Sequence, residues 1–187
     1  MITKILFSLI LLAAVSFAGG ASIQLNELGK LKVGGSLPDF AGFDLSLAGS
    51  EPVSLSDLMG WVKKTGPQSH PVIVFFSTSC LPCRVGLFAL RDHPAELEAA
   101  QVQVILVAVG DERTKLRRFL KEHRLSFHVV DDPDGKMAVR YGVMGKGGAV
   151  SDARLPVTVL ADFSGTITAI VTEEGNDYLD LVLAGHP

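Results

Sequence analysis

The sequence predicts one α/β domain of three layers, in which helices cover both faces of a central mixed β-sheet. Two continuous runs of β-forming apolar residues, Val72–Phe76 and Val102–Val109, are typical of strands buried on both faces. Stretches with helical periodicity follow these runs, and two further strands and a helix end the chain. With 187 residues, 48% of them apolar, the chain is long enough for one such core, and the composition excludes a disordered protein.

The segment before the first central strand predicts an added N-terminal hairpin. Ser36–Leu58 contains short alternating runs between glycines and prolines, which favours a loop and a small hairpin that leads into a helix at Ser56. After the first central strand, Cys80–Ala100 supplies a helix. Pro94 divides this helix because proline has no backbone N–H to donate.

Apolar spacing predicts the buried face of each helix that follows. After the second central strand, Asp111–His123 forms an amphipathic helix, and Asn176 is expected to cap the last helix. The elements between them are expected at His128–Val130, Gly135–Tyr141, Val157–Leu160 and Thr166–Val171. The expected inward-facing residues are Val85, Phe88 and Ala89 in the first helix, Leu116, Phe119 and Leu120 in the second, and Leu179, Val182 and Leu183 in the last.

The first residues have the pattern of a secretory signal peptide. Lys4 supplies a positive charge and Ile5–Val15 is almost wholly apolar. Ser16 and Ala18 then provide the small residues that a signal peptidase requires. We expect cleavage after Ala18, with Ala21 as the second site.

These features define the expected domain organisation and compartment. Residues 1–18 form the signal peptide, residues 19–34 a linker and residues 35–187 the folded domain. A retained membrane anchor is the alternative to cleavage, although the apolar run is shorter than the roughly 20 residues that span a bilayer. Both outcomes place the domain in the periplasm or otherwise outside the cytoplasm.

The charge balance gives no electrostatic reason to expect a nucleic-acid partner. Lys and Arg number 17 against 20 Asp and Glu, for a net charge of −3. The sequence contains no glycine-rich nucleotide motif or P-loop, and Arg84 stands where a haem-attachment motif has histidine, so no cofactor is predicted. A basic run is interpreted as the solvated face of a helix, with a partner-binding surface as the alternative. The run is Arg113, Lys115, Arg117, Arg118, Lys121 and Arg124.

The two cysteines of the chain form a Cys-Leu-Pro-Cys motif directly after the first central strand. A helix that begins here presents unpaired N–H groups, which stabilise a thiolate. We therefore predict that Cys80, the outer residue, attacks a partner disulfide and that Cys83 resolves the mixed disulfide. Pro82 lies in the first turn and stiffens the spacing of the two sulfurs.

Two other uses of the cysteines stay open from the sequence alone. One is a purely structural disulfide, although closing so short a loop removes little entropy from the unfolded chain. The other is a zinc site with His123 and His128, although the spacing from Cys83 is much longer than in local zinc-finger patterns.

Further motifs accompany the cysteine pair in a definite order. Gly-Asp-Glu ends the second central strand, Tyr141-Gly142-Val143 follows a helix, and Leu155-Pro156 precedes a strand. This set resembles the exported thioredoxin-like proteins of the TlpA/ResA type, whose N-terminal hairpin is similar to residues 33–40 and 53–58. The resemblance covers residues 33–184 and implies a thioredoxin-like fold, with a central mixed sheet, flanking helices and an added N-terminal hairpin.

The resemblance also implies an activity and a set of site residues. The expected activity is thiol–disulfide exchange with protein substrates outside the cytoplasm, with a membrane-linked redox donor as a further partner. In this family a cis-proline faces the cysteine pair, and Pro156 is the matching residue. Leu155 would offer backbone hydrogen bonds to a substrate strand, and Ser79 and Pro82 complete the expected substrate-binding residues.

Three departures from the family pattern bear on the chemistry. Ser79 stands where the family usually has tryptophan, and the long loop 144–154 is interpreted as a substrate-selecting element or a simple insertion. Val74 and Gly86 stand where relatives have a buried aspartate and a glutamate. We therefore expect no carboxylate beside Cys83. Its absence would favour the thiolate and make the pair more oxidising.

Two alternative functions belong to other classes. A thiol peroxidase needs a serine or threonine three residues before its cysteine, which Ser77 satisfies, and a proline where this chain has Ile73. The other alternative is a non-catalytic binding module of the same fold, with the basic helix as its candidate surface.

Overall fold

The computed structural model describes residues 21–46, 51–60 and 69–185. The signal peptide expected over residues 1–18 lies outside the described residues. Within the described ranges, no helix is long and apolar enough to cross a membrane.

The described residues contain ten strands and six α-helices. The strands are β1 (Ile23–Leu25), β2 (Glu27–Leu28), β3 (Leu31–Lys32), β4 (Ala41–Asp44), β5 (Glu51–Ser54), β6 (His70–Phe76), β7 (Val102–Val109), β8 (His128–Asp132), β9 (Val157–Ala161) and β10 (Ile167–Glu173). The helices are α1 (Leu55–Leu58), α2 (Cys83–Asp92), α3 (Pro94–Ala99), α4 (Arg113–Glu122), α5 (Lys136–Arg140) and α6 (Tyr178–Ala184).

Eight of these strands form one sheet in the order β1-β10-β9-β6-β7-β8-β4-β5. Strands β6, β7 and β8 are parallel, whereas β9 is antiparallel to β6, β10 to β9 and β4 to β8. The predicted mixed α/β architecture is therefore confirmed. The antiparallel pair β4–β5 is the N-terminal hairpin, and it extends the sheet beyond β8.

Alternation along β6 divides the core into two layers. Val72, Val74 and Phe76 pack in the layer that contains α2, α3, α4 and α6, whereas Ile73 and Phe75 pack in the layer of α1 and α5. All five side chains are fully buried. The continuous apolar run follows from this placement, because a central strand covered on both faces favours apolar side chains at every position.

The buried face of α4 is the predicted one. Leu116, Phe119 and Leu120 are buried, and the basic run points to solvent. The contrast between charged and apolar positions in this helix leaves a single apolar stripe, so the periodicity identifies the correct face.

The predicted buried face of α2 is correct only in part. Phe88 and Ala89 are half-buried and pack against the core, but Val85 is 56% exposed, and the fully buried side chains are Cys83, Leu87 and Leu90. This segment is apolar on more than one side, so periodicity alone offers two candidate faces. The buried one is the face that the fully buried Cys83 shares, in the layer against the sheet.

Residues 21–34, the described part of the predicted linker, pack onto the domain. β1 pairs with β10 as an edge strand, and Leu28 and Leu31 bury their side chains in the core. Ser22 donates its backbone N–H to Asp177 and accepts the N–H of Gly175 on its hydroxyl. Burial of these two leucines favours attachment of the segment over a solvated tail.

The last helix begins later than predicted. Asp177, not Asn176, precedes its first residue, and the side chain of Asp177 makes no capping hydrogen bond to the helix. Tyr178 and Val182 are its buried residues, so of the three expected inward positions only Val182 is fully buried. The carboxylate of Asp177 is instead occupied by the N–H of Ser22.

Candidate functional site

The cysteine pair lies where β6 ends and α2 begins. Cys80 and Cys83 are joined by a disulfide, with their Cα atoms 5.4 Å apart. Cys83 is the first residue of α2 and is fully buried, whereas Cys80 lies in the preceding turn and is half-buried. The two sulfurs therefore differ in accessibility, and Cys80 is the one that a partner molecule can reach.

Backbone groups hold the sulfur of Cys80 in an environment that suits an anion. The N–H of Cys80 donates to the carbonyl of Ser77, which closes the turn, and the N–H of Cys83 donates to Sγ of Cys80 at 3.2 Å. A thiolate accepts such a hydrogen bond better than a neutral thiol does. In the reduced protein, this N–H therefore favours the charged form of Cys80 over that of the buried Cys83.

Asp111 anchors the turn that carries Cys80, and the sequence analysis did not single it out as a site residue. Its buried carboxylate accepts the backbone N–H of Thr78 at 2.7 Å and the hydroxyl of Thr78 at 2.5 Å. The signal for Asp111 lies in the topology. It follows β7, the parallel neighbour of β6, and the carboxyl ends of parallel neighbours meet at one edge of a sheet.

A cleft of about 680 Å³ opens beside the disulfide. Its walls come from the turn before α2, from the end of β7 with the start of α4, and from the loop that precedes β9. Lys115 is the one basic side chain among the described residues that line it. The lining residues are Ser77, Ser79, Cys80, Leu81, Pro82, Val109, Gly110, Asp111, Lys115, Val150, Ser151, Ala153 and Leu155.

Three of the four expected substrate-binding residues line this cleft, namely Ser79, Pro82 and Leu155. The Leu155–Pro156 peptide bond is cis, as the resemblance implies. Pro156 itself is buried and borders a different, smaller pocket with Leu25 and Leu28. The roles of these residues in substrate binding stay predictions.

The long loop 144–154 contributes one wall of the cleft through a 3₁₀ turn at Val150–Asp152. Val150 packs against Gly110, where a Cβ atom would come within 2.0 Å of the valine side chain. The carboxylate of Asp152 accepts the N–H of Ala149, and Arg154 donates its backbone N–H to the carbonyl of Val143. These contacts attach the loop to the cleft in a defined position.

A buried carboxylate does lie against α2, contrary to expectation. Glu174, between β10 and α6, occupies the space above Gly86, where a Cβ atom would come within 1.9 Å of Oε2 of Glu174. Its Oε1 accepts the hydroxyl of Thr158, which also bonds the hydroxyl of Tyr178. Burial raises the pKa of Glu174 to about 7, although the hydrogen bond from Thr158 works against the rise.

The premise of a more oxidising pair is therefore wrong, because an acid is present that the sequence motif does not reveal. The resemblance places the expected carboxylate within the strand or helix that carries the cysteines. Here Gly86 leaves a gap in α2, and a glutamate from the far end of the chain fills it.

The histidines proposed for a zinc site do not meet the cysteines. His123 packs on the rings of Phe88 and Phe119, and His128 bonds the carboxylate of Asp44 at 2.8 Å. Across the described residues, no group of three or more His, Cys, Asp or Glu side chains could hold a metal ion.

The family assignment rests on a match over most of the domain. A family model described as AhpC/TSA matches residues 33–170. The chain belongs to the AhpC/TSA family. This family assignment covers both central strands, the cysteine motif and the cis-proline.

Relatives in the family point to two redox activities. The thiol-disulfide oxidoreductase ResA of Bacillus subtilis is 24% identical over 152 residues, which cover 79% of this chain and 75% of ResA. A Haemophilus influenzae protein described as a peroxiredoxin, bcp, is 31% identical over 144 residues, which cover 75% of this chain and 85% of bcp.

Solved structures confirm the thioredoxin-like fold. A Chlorobium tepidum protein described as the thiol:disulfide interchange protein DsbE has a TM-score of 0.64 and 24% identity, covering 83% of this chain and 98% of that one. The predicted resemblance to the ResA type is confirmed, and so is the predicted enzyme class, a thiol–disulfide oxidoreductase.

Proposed function

We propose that this chain is an exported thiol–disulfide oxidoreductase that exchanges its Cys80–Cys83 disulfide with cysteines of partner proteins outside the cytoplasm. The observation that carries the proposal is the asymmetry of the two sulfurs. Cys80 borders an open cleft and accepts a backbone N–H on its sulfur, whereas Cys83 is fully buried behind it. A reachable nucleophile with a shielded partner is the arrangement that two-step disulfide exchange needs.

The geometry favours exchange over a purely structural disulfide. A structural disulfide needs neither an accessible sulfur nor a cleft, and a loop this short adds little stability through chain entropy. The cleft beside Cys80 has both apolar walls, from Leu81, Val150 and Leu155, and polar groups, from Ser77 and Ser79. Such a surface suits an extended peptide segment that carries a cysteine.

The test compares serine variants of the two cysteines. We expect Cys80→Ser to abolish reduction of insulin disulfides, because the nucleophile is lost. Cys83→Ser should accumulate a mixed disulfide through Cys80 instead, because the resolving thiol is lost. Insulin reduction is measured with dithiothreitol as reductant. The mixed disulfide is measured by non-reducing electrophoresis. Retention of the wild-type rate by Cys80→Ser would contradict the proposal.

Export is supported by the N-terminal pattern of Lys4, the apolar run Ile5–Val15 and the small residues Ser16 and Ala18. In the oxidising space outside the cytoplasm, the pair needs a reductant to act repeatedly, and a membrane-linked redox donor is the proposed partner. Trapping with the Cys83→Ser variant in the native cell envelope would capture both substrates and donor. Recovery of the protein from the cytoplasmic fraction alone would contradict export.

Peroxide reduction is the second candidate, favoured by the similarity to the peroxiredoxin bcp and by Ser77 in the same cleft as Cys80. Against it, Ile73 occupies the proline position of the peroxidase motif, and the hydroxyl of Ser77 bonds that of Ser79. We therefore expect hydrogen peroxide to oxidise the reduced protein no faster than it oxidises free cysteine thiolate. Oxidation much faster than this would favour the peroxidase.

A further inference from the structure

Glu174 and its neighbours form a buried polar cluster in the layer between the sheet and helices α2 and α6. The cluster consists of Glu174, Thr158 and Tyr178, and both Thr158 and Tyr178 are almost completely buried. Thr158 pairs in register with Val74 of β6, and Val74 packs in the same layer as Cys83. The cluster therefore lies in the same layer as the buried half of the disulfide, and none of its residues lines the cleft that would receive a partner.

The Glu174 carboxylate has one oxygen without a well-aligned partner. Oε1 accepts the Thr158 hydroxyl, whereas Oε2 is buried and makes no well-aligned hydrogen bond with any described residue. The backbone N–H of Gly86 and the hydroxyl of Tyr178 also interact with the carboxylate and favour its charged form, but burial outweighs them. Oε2 is the oxygen that lies over Gly86.

Gly86 places that oxygen against the stretch of α2 that carries Cys83. The two residues lie three apart on α2 and share its buried face, and Cβ positions at this spacing are about 5–6 Å apart. Oε2 of Glu174 lies 1.9 Å from where a Gly86 Cβ would be. Any side chain at position 86 would therefore displace the carboxylate from the helix turn that carries Cys83.

The other groups around Glu174 do not compete for this role. Tyr178 from α6 is titratable, but burial raises its pKa well above the ordinary value, so it stays neutral. Thr158 from β9 does not titrate, and Val74 from β6 is apolar. Arg84, the charged neighbour on α2, points elsewhere, with its guanidinium toward the carbonyl of Thr78 and the ring of Phe119.

We propose that Glu174 exchanges a proton with the Cys83 thiol during each cycle of disulfide exchange, so that it serves as the acid–base partner of the resolving cysteine. The inference rests on the proposed function and assigns a proton acceptor to its second step. A buried thiol cannot ionise easily by itself, because burial penalises the thiolate. A carboxylate whose pKa is about 7 can both accept and return a proton near neutral pH.

The two steps balance as follows when the protein reduces a partner. The Cys80 thiolate attacks the partner disulfide, forms the mixed disulfide and releases the first partner thiolate. Glu174 then takes the proton of Cys83, whose sulfur attacks Sγ of Cys80 and releases the second partner thiolate. Two electrons pass to the partner, and Glu174 ends as the neutral acid. Oxidation of a partner dithiol is the same sequence in reverse.

The experiment separates the two steps with Ellman's reagent, a chromogenic aromatic disulfide. Attack by Cys80 releases one coloured thiolate, and resolution by Cys83 releases a second in a step that does not depend on reagent concentration. For the wild-type protein, we expect the rate of the second release to rise with pH through a break near 7. Glu174→Gln should slow that release at least about tenfold at neutral pH and remove the break.

Glu173→Gln is the matched control, because Glu173 is the exposed neighbour at the end of β10. We expect it to leave both releases unchanged, and we expect Glu174→Gln to leave the rate of the first release unchanged, which shows that the surroundings of Cys80 are intact. A second release by Glu174→Gln with the wild-type rate and pH profile would overturn the inference while the exchange activity stands. Absence of any second release from the wild-type protein would overturn the proposed function itself.

Gly86→Ala provides an independent test that changes no ionisable group. Alanine is a better helix former than glycine, so α2 itself is not weakened. The added methyl group would meet Oε2 of Glu174 and push the carboxylate away from Cys83. We expect a slower second release with an altered pH profile, even if Glu174→Gln does not fold. A second release identical to that of the wild type would count against the placement of the proton acceptor.

Discussion

At the scale of single residues, the most consequential contact outside the cysteines is the one between Thr78 and Asp111. Thr78 lies two residues before Cys80 and gives both its N–H and its hydroxyl to the buried carboxylate. The position of Cys80 thus depends on a residue from the neighbouring strand end, which holds the turn against β7.

Asp111→Ala should therefore lower the stability of the oxidised protein. The substitution leaves the buried N–H of Thr78 without an acceptor, and hydrogen bonds to a charged group contribute about 1.5–3 kcal/mol each. We expect a loss of about 3 kcal/mol in the free energy of unfolding, measured with urea. Glu112→Ala is the control, since Glu112 is exposed. Equal unfolding midpoints for the two variants would refute the anchoring role.

At the scale of elements, the β4–β5 hairpin is attached to the sheet by a narrow contact. β4 pairs with β8 at the single register position Asp44–Val130, next to one bond from the N–H of Leu45 to the carbonyl of Val129. Asp44 strengthens this junction by accepting the N–H of Val129 and bonding His128. Burial would raise the pKa of Asp44, but these hydrogen bonds outweigh it and hold the pKa below the ordinary value.

Asp44→Ala should loosen the hairpin without unfolding the central strands. Loss of the acceptor frees the N–H of Val129 and removes the partner of His128, so amide hydrogen exchange within residues 41–45 should become faster. Exchange in β6 and β7 should stay slow. Glu51→Ala, at the exposed position that pairs with Asp44 across the hairpin, is the control and should leave the exchange pattern as it is. Uniform acceleration in all strands would contradict a local role.

At the scale of the whole molecule, Glu174 makes stability depend on pH. Its pKa is about 7 in the folded protein against 4.5 in the unfolded chain, so the native state binds more protons between these values. The contribution of Glu174 to stability is thus fully present below pH 4.5 and is lost as pH rises toward 7. The loss amounts to about 3 kcal/mol.

The measurement compares urea unfolding of the oxidised wild-type protein and of Glu174→Gln across this pH interval. Other titrating groups cancel in the difference, because both proteins carry them. We expect the stability of the wild type relative to the variant to fall as pH rises from 4.5 to 7. A difference that does not vary with pH would show that Glu174 titrates normally.

The fold was largely predictable because the residue patterns of its central elements each allow only one structural interpretation. The apolar runs of β6 and β7 can be satisfied only between two covered faces, and the charges on α4 leave one face for the core. The cysteine motif was visible for a similar reason, since its place after a strand and at a helix start carries its chemistry.

The remaining features depend on contacts that no local pattern encodes. The sequence alone does not show which apolar face of α2 is buried, because that depends on how the helix packs on the sheet. Likewise, β1 is recognised as a strand only through its pairing with β10. Glu174 is an ordinary residue at a strand end in the sequence. It becomes notable only when Gly86, on a distant helix, leaves the space that it fills. Asp111 was part of a family motif, but its bond to Thr78 requires the parallel alignment of β6 and β7.

The contact between Ser22 and Asp177 would affect the new N-terminus that proteolytic processing after Ala21 would create. The nitrogen of Ser22 lies 2.6 Å from Oδ1 of Asp177. Proteolytic processing after Ala21 would convert that amide into a charged ammonium group facing a carboxylate, and such a charge-assisted bond is about twice as strong as a neutral one. The new chain terminus would then be seated on the start of α6, close to the segment that bears Glu174, rather than trailing into solvent.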